Sequence, residues 1–352
     1  MGLELKTLQA FLDHSFDQVI DVRSPAEFAE DHVPGAINLP VLDDAERAEV
    51  GTIYKQQSPF KARKLGAALV FRNAAAHIEE TLSVNEGGWR PLVYCWRGGQ
   101  RSGSFTWMLR EIGWPAEIVQ GGYRSYRRLV THYLYEGALP FKLVQLGGHT
   151  GTAKTEVLLR ARKLGAQVLD LEDLAQHRGS LLGARAGGQP SQKMFETRLV
   201  QALAHLSPDK PVLVEAESSK IGVLNLPPAL WGAMKAAPWI ELSAAVQARS
   251  RYLSQAYSDV LADSVALKER LQPLRFHRGH DLVDRWEALI QAGEKQALCQ
   301  SLATDHYDPA YDKCMKAFAP QVLSKIELAE LNDSEMDIAA ERVAQVLSEI
   351  EM

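Results

Sequence analysis

The chain has 352 residues, 46% of them hydrophobic, and a formal net charge of −5. That length calls for two domains, and that apolar content excludes a disordered chain. The charge excludes a protein coated in basic surface, but leaves room for a local patch that meets nucleic acid. No run of eighteen apolar residues exists to span a membrane, and Met1-Gly2-Leu3-Glu4-Leu5-Lys6 lacks the basic and apolar regions of a signal peptide. A cytoplasmic protein is expected. The three cysteines, Cys95, Cys299 and Cys314, have no metal-ligand spacing and fit a reducing compartment.

In chain order, Val19-Ile20-Asp21-Val22 reads as a strand that ends in polar Arg23-Ser24-Pro25, and residues 26–30 as a short helix. Turn chemistry around a short strand fills 32–40, and 43–83 looks mostly helical. Pro91-Leu92-Val93-Tyr94 then reads as a buried strand. It leads into Cys95-Trp96-Arg97-Gly98-Gly99-Gln100-Arg101 and a helix over 102–112. Glu117-Ile118-Val119 and the Gly121-Gly122 turn close a first domain at 1–132, and the alternation of short strands and helices predicts a parallel sheet.

A cysteine at the carboxyl end of a strand, heading a glycine-rich loop that opens a helix, has backbone amides aimed at one anion. Arg97 and Arg101 add positive field that favours a thiolate. Cys95, Arg97 and Arg101 are therefore the candidate catalytic set, and Cys95, Gly98, Gly99, Arg101 and Ser102 the candidate phosphate cradle. The other reading is a structural cysteine buried at a strand end.

The second domain, 133–352, opens with the strand Leu143-Val144-Gln145-Leu146 and the loop Gly147-Gly148-His149-Thr150-Gly151-Thr152-Ala153-Lys154-Thr155. This is a P-loop in outline, with Gly148, Thr150, Gly151, Lys154 and Thr155 as diphosphate-binding candidates. Ala153 stands where a glycine normally precedes the lysine. Alanine can take helical backbone angles, so the loop survives, although tight nucleotide binding is put in question. Further strands are expected at 166–170, 211–214 and 238–242, a helical lobe from about 244, and an acidic amphipathic helix over 334–350.

Glu215 and Glu217 follow the 211–214 strand, where they could hold Mg²⁺ through water or orient Ser218 and Lys220. Asp170, beside Glu172 and Asp173, reads equally as a metal or base site and as a helix start. No metal site is firm. His177, Arg178, Ser191, Gln192 and Lys193 lie in donor-rich loops, and Arg124, Arg127 and Arg128 cluster beside the domain join. RNA contact and plain solvation are both open for these eight.

Asp21-Val22-Arg23-Ser24-Pro25-Ala26-Glu27-Phe28, with His32-Val33-Pro34-Gly35-Ala36-Ile37-Asn38 and Cys95, resembles the rhodanese superfamily over the first third of the chain. Five residues separate Cys95 from Arg101, where sulfur-transferring rhodaneses usually have four. The longer loop resembles the related cell-cycle phosphatases and suits a tetrahedral phosphorus anion. With the P-loop, His177-Arg178-Gly179-Ser180, Pro190-Ser191-Gln192-Lys193 and Glu215-Ala216-Glu217-Ser218 added, the chain resembles the tRNA 2-selenouridine synthase family, more weakly after about 245.

That resemblance implies a rhodanese-like parallel-sheet domain followed by a P-loop NTPase-like α/β domain with a helical C-terminal part. It implies conversion of wobble 2-thiouridine in tRNAs for Lys, Glu and Gln to 2-selenouridine. The sulfur is first alkylated by geranyl diphosphate, and selenium from selenophosphate then displaces it. Lys154, Thr155 and Mg²⁺ would stabilise the departing diphosphate, and Cys95 would take up selenium as a selenylated cysteine. The geranyl groove has candidates in Leu224, Leu226, Leu230 and Trp231, which core packing explains equally well. The implied partners are the tRNA anticodon arm and a selenophosphate supplier; no tightly bound cofactor is expected, and the chain is expected to be a monomer. The competing readings are a P-loop ATPase or kinase with a regulatory rhodanese module, a sulfurtransferase acting on tRNA, a phosphatase working through Cys95, and a tRNA-binding scaffold.

Overall fold

The computed structural model describes residues 2–351. The chain forms two units. The first runs to Gly137 and takes in Pro190–Ala204; the second comprises Ala138–Gln189 and resumes at His205.

The first unit is built on a sheet of β1 (Gln18–Asp21), β2 (Ala36–Asn38), β3 (Pro91–Tyr94) and β4 (Glu117–Ile118), in the order β2-β1-β3-β4 with every pair parallel. All four residues of β3 are buried, as a central strand covered on both faces requires. Ile20, Val22, Val93, Phe105 and Leu109 join sheet to helix in one core. Reciprocal capping pairs, Ser24 with Glu27 and Asp43 with Glu46, start two of the helices.

The second unit holds β5 (Leu143–Gly147), β6 (Gln167–Leu169) and β7 (Val212–Glu215), the short antiparallel hairpin β8 (Lys220–Ile221) and β9 (Leu224–Asn225), then β10 (Trp239–Ala244) and β11 (Val322–Leu328). The main sheet is parallel with order β11-β10-β5-β7-β6, so the strand that feeds the P-loop is central. Val144, Leu146, Leu213, Ile240 and Leu242 pack with Ala339, Ala340 and Val343 of the acidic helix Asp333–Glu351. Arg160 clamps that helix through Asp333 (2.5 Å) and Asp337. The helices after β10 gather round their own cluster, including Leu253, Leu267, Val283, Trp286, Leu298 and Leu302. Among the described residues, no helix is long and apolar enough to cross a membrane.

The β8–β9 hairpin, β11 and the placement of residues 190–204 differ from the sequence reading. β11 went unassigned because Ser324, Lys325 and Glu327 interrupt its apolar residues; it is an edge strand with only Leu328 fully buried. Residues 190–204, placed by sequence in the second domain, cluster with the first unit as the helix Gln192–Ala204. Its buried Phe195, Leu199, Val200 and Leu203 recur at helical spacing. The Tyr126 hydroxyl donates to Thr197 Oγ1 (3.2 Å) and the Tyr135 hydroxyl to Glu196 Oε1 (2.7 Å).

Candidate functional site

The cysteine loop is interlocked with the Gly121-Gly122 turn. Gly98 (φ +64°) and Gly122 (φ +59°) both lie in the left-handed region. A Cβ on Gly122 would sit 2.2 Å from the Cys95 carbonyl oxygen, and one on Gly98 2.6 Å from that of Val119. The amides of Tyr123 and Arg124 donate to the carbonyls of Cys95 (2.8 Å) and Trp96 (3.1 Å). The loop is thereby held rigid at the N-terminus of the helix Gln100–Ile112.

Cys95 Sγ accepts from the Gly99 amide (3.3 Å) and the Ser102 hydroxyl (3.1 Å). Burial pushes the thiol pKa up, but the Ser102 hydroxyl and amide, Arg101 and the Arg97 amide outweigh it and bring the thiol below its ordinary value. Arg101 donates to Glu27 Oε2 (2.9 Å), and Arg47 Nε meets the same oxygen at 2.9 Å. Burial raises the Glu27 pKa, while Arg101 and Arg47 lower it further, so this carboxylate stays ionised and occupies both cations. Arg97 is exposed. Glu27, Arg47, Cys95, Arg97 and Arg101 line one open cavity of ≈ 500 Å³. Behind it, buried Arg23 is bound to Asp21 (2.6 Å) and lies 4.0 Å from the ring centre of Tyr123. Glu30 also lines the cavity, so three arginines and two carboxylates surround the nearly buried cysteine. Arg47 carried no signal in the sequence; its place depends on a contact twenty residues away in the chain.

In the P-loop, Ala153 does not take helical angles. It lies in the left-handed region (φ 56°, ψ 34°), where the missing glycine would have been at ease. Gly148 and Gly151 also have positive φ, and a Cβ on Gly148 would come 2.4 Å from the Leu242 carbonyl. Lys154 Nζ donates to the carbonyls of Gly148 (2.8 Å) and His149 (3.3 Å). Burial lowers its pKa, and Glu217, Glu172 and Glu215 oppose that.

These carboxylates crowd the loop. Glu215 accepts from the amides of Leu171 (3.0 Å) and Glu172 (3.3 Å), while its Oε1 is buried without a partner. Burial, then Glu172 and other carboxylates, push Glu215 well above the usual range and Glu217 up to about 8. Glu172 accepts from Thr155 Oγ1 (3.2 Å). Sequence weighed Glu172 only beside Asp170. Asp170 instead caps the helix Leu171–Leu174 by accepting from the Asp173 amide (2.9 Å). Gly179 leaves room here: a Cβ on it would lie 2.3 Å from Glu217 Oε1. Gly148, Thr150, Gly151, Lys154, Thr155, Glu172, Arg178 and Glu217 line a cavity of ≈ 440 Å³.

The RNA candidates separate. Arg127 is paired with buried Glu196 and donates to the Lys193 carbonyl (3.4 Å), so packing uses it; Arg124 and Arg128 are exposed. Ser191 caps the helix Gln192–Ala204 by accepting from the Met194 amide (3.0 Å). Lys193 pairs with Glu30 (2.6 Å), and Gln192 donates to Glu196 (2.9 Å). His177 is buried, and burial lowers its pKa. Arg178 binds both oxygens of Asp259 (3.0 and 2.8 Å) at the rim of the P-loop cavity. Leu224, Leu226 and Leu230 are buried in core packing and do not line that cavity.

A cysteine-bearing anion loop on one parallel sheet and a phosphate loop on another define a rhodanese domain joined to a P-loop domain. The rhodanese-like domain model matches residues 4–129, and the tRNA 2-selenouridine synthase AAA domain model matches 141–280. The chain is 33% identical to the tRNA 2-selenouridine synthase of Hahella chejuensis, over 90% of each chain. It is 34% identical to that of Alcanivorax borkumensis, covering 89% of this chain and 94% of the relative. The same enzyme of Pseudomonas syringae pv. syringae is 33% identical over 83% of this chain and 87% of its own. The chain belongs to the tRNA 2-selenouridine synthase family and is an enzyme.

Proposed function

We propose that the chain exchanges sulfur for selenium in wobble 2-thiouridine of tRNAs for Lys, Glu and Gln in two chemically distinct steps, one at each loop. The observation that carries the reading is the division of labour: one anion cradle contains a cysteine sulfur that accepts two hydrogen bonds, while the other offers a lysine, a hydroxyl and amides but no cysteine.

At the P-loop, the thiouridine sulfur attacks the first carbon of geranyl diphosphate. A C–S bond forms, the C–O bond breaks, the base loses its N3 proton and diphosphate departs. Lys154, Thr155 and the loop amides stabilise the leaving charge. Mg²⁺ fits Thr155 and Glu172, which share a hydrogen bond, with Glu217 lining the same cavity; bound there, it would neutralise diphosphate. Among the described residues, no three His, Cys, Asp or Glu form a metal cage, so the diphosphate and water would supply the other ligands. The cavity adjoins an apolar recess lined by Leu182, Leu253, Leu261, Leu302, Tyr257 and Tyr307, which we assign to the geranyl tail. That recess holds only ≈ 30 Å³ as it stands, so its side chains part to admit the tail.

At the cysteine loop, electron balance favours phosphorus over selenium as the atom attacked. Selenium in selenophosphate is already at the selenide level. A Cys95–S–Se adduct would need a two-electron oxidant or expulsion of phosphite. Attack of the Cys95 thiolate on phosphorus needs neither: an S–P bond forms, the P–Se bond breaks and hydrogen selenide leaves. Selenide is a weak base and departs without a general acid; the loop between Cys95 and Arg101 contains no acidic residue. Selenide then adds to C2 of the alkylated base and expels geranylthiolate, which takes up a proton. Water hydrolyses the phosphocysteine, with Ser102 stabilising the departing thiolate.

Nucleoside mass spectrometry on 2-thiouridine tRNA tests both steps, using geranyl diphosphate and then selenophosphate. Lys154→Ala should lose geranylation and Cys95→Ala should keep it but lose selenation. No modified nucleoside with the unaltered chain under any condition would overturn the reading.

A further inference from the structure

Residues 50–78 contain Lys55, Lys61, Arg63, Lys64 and Arg72 and no aspartate or glutamate, in a chain whose 44 acidic residues otherwise outnumber its basic ones. Most of this window is the helix Pro59–His77. It buries Ala62, Gly66, Leu69, Val70 and Ala74 on one face and turns all four of its lysines and arginines to solvent. Among the described residues, no ion pair engages any of these five cations, whereas Arg127, Arg178 and Arg185 are each matched with a carboxylate.

Aromatic rings share the surface. Phe60 is 72% exposed, and Phe71 (41%) meets Trp107 (54%) edge-on at 6.3 Å and 87°. A phenylalanine and an indole held in solvent between unpaired cations are the two ingredients of a single-stranded nucleic-acid platform: charge for phosphates and π-faces for unstacked bases. Trp107 also ties the platform to the cysteine loop. It lies six residues after Arg101 on the same helix, roughly 9 Å along the axis. The platform and the cysteine loop thus share one helix.

We propose that the exposed face of the helix Pro59–His77, with Trp107, is the surface of the first unit that grips the tRNA loop. Lys61, Lys64 and Arg72 hold phosphates, and Phe71 with Trp107 stacks a flanking base. This rests on tRNA being the substrate.

Filter binding of a 2-thiouridine tRNA to the full chain over a salt series tests it. Replacing Lys61, Lys64 and Arg72 by Gln together should raise Kd at least ten-fold at low salt. The same change should reduce the log Kd against log salt slope by about 2–3, at about 0.7–0.9 for each of three phosphate contacts. Phe71→Ala with Trp107→Ala should raise Kd roughly five-fold or more with the slope unchanged. Wild-type Kd and slope in both variants would overturn the proposal while leaving the substrate intact. No tRNA binding by the unaltered chain would instead overturn the functional reading, and this inference with it. Circular-dichroism melting and the Cys95 alkylation rate without RNA should match wild type. If the triple variant melts early, the single Lys61→Gln and Lys64→Gln variants replace it, each expected to remove a slope of about 0.7–0.9; an unchanged slope in both would sink the idea.

Discussion

Ser102→Ala isolates the group that tunes the nucleophile. The Ser102 hydroxyl is fully buried and donates to Cys95 Sγ at 3.1 Å. A hydrogen bond to a charged acceptor contributes about 1.5–3 kcal/mol, and here it favours the thiolate over the thiol. Losing it should lower the thiolate population near neutral pH about ten- to a hundred-fold. The remaining thiolate is more basic and so more nucleophilic; a Brønsted coefficient of about 0.4–0.5 returns roughly half of that loss on a logarithmic scale. The net expectation is a drop of about three- to ten-fold in iodoacetamide alkylation of Cys95 at neutral pH, closing as pH rises. The assay is the second-order rate against pH, read by mass spectrometry of the Cys95 peptide. Ser104→Ala, on the same helix but not bonded to the sulfur, is the control. An unchanged or faster rate in Ser102→Ala across the range would refute the assignment of Ser102 as thiolate stabiliser.

Rapid quench with selenophosphate should leave phosphorus on the Cys95 peptide, longer-lived in Ser102→Ala; a selenium isotope envelope there, or released phosphite, would show that selenium is the atom attacked. Arg127→Ala should cost about 3 kcal/mol in denaturant unfolding, because it strips the cation from buried Glu196, while exposed Arg124→Ala should stay within about 0.5 kcal/mol. Equal effects would mean that Arg127 does not anchor the returning helix. Glu217 binds its proton more tightly in the fold, with its pKa raised from 4.5 to about 8, so its contribution is present at low pH and falls away as pH rises through that window. Glu217→Gln should flatten the decline of stability between those two values; an unaltered pH profile would contradict the burial-driven shift.

What the sequence made legible was local. The cysteine loop and the P-loop are each written in a handful of consecutive residues whose type is dictated by backbone geometry, and β5, β7 and β10 announce themselves as short apolar runs. What stayed hidden depends on partners far along the chain. Arg127 looked like a free cation until Glu196, sixty-nine residues on, claimed it. Arg47 joins the Cys95 cavity only through Glu27. Glu172 rather than Asp170, two residues before it at the helix cap, meets Thr155. Ala153 was read from alanine's own preference, whereas the loop imposes the left-handed angles regardless. The acid-free stretch 50–78 went unremarked within a region read only as helical, and burial is what shows which side of its helix faces water.

The return of residues 190–204 to the first unit means that no single cut in the chain separates the two units. A fragment ending at Gly137 would lack the segment that accepts from Tyr126 and Tyr135 and neutralises Arg127, so it carries an open seam where a helix should lie. A fragment beginning at Ala138 would carry that helix with its apolar side unmatched. A single cut at the join therefore strips the first unit of one of its helices and leaves the second carrying a helix that packs elsewhere.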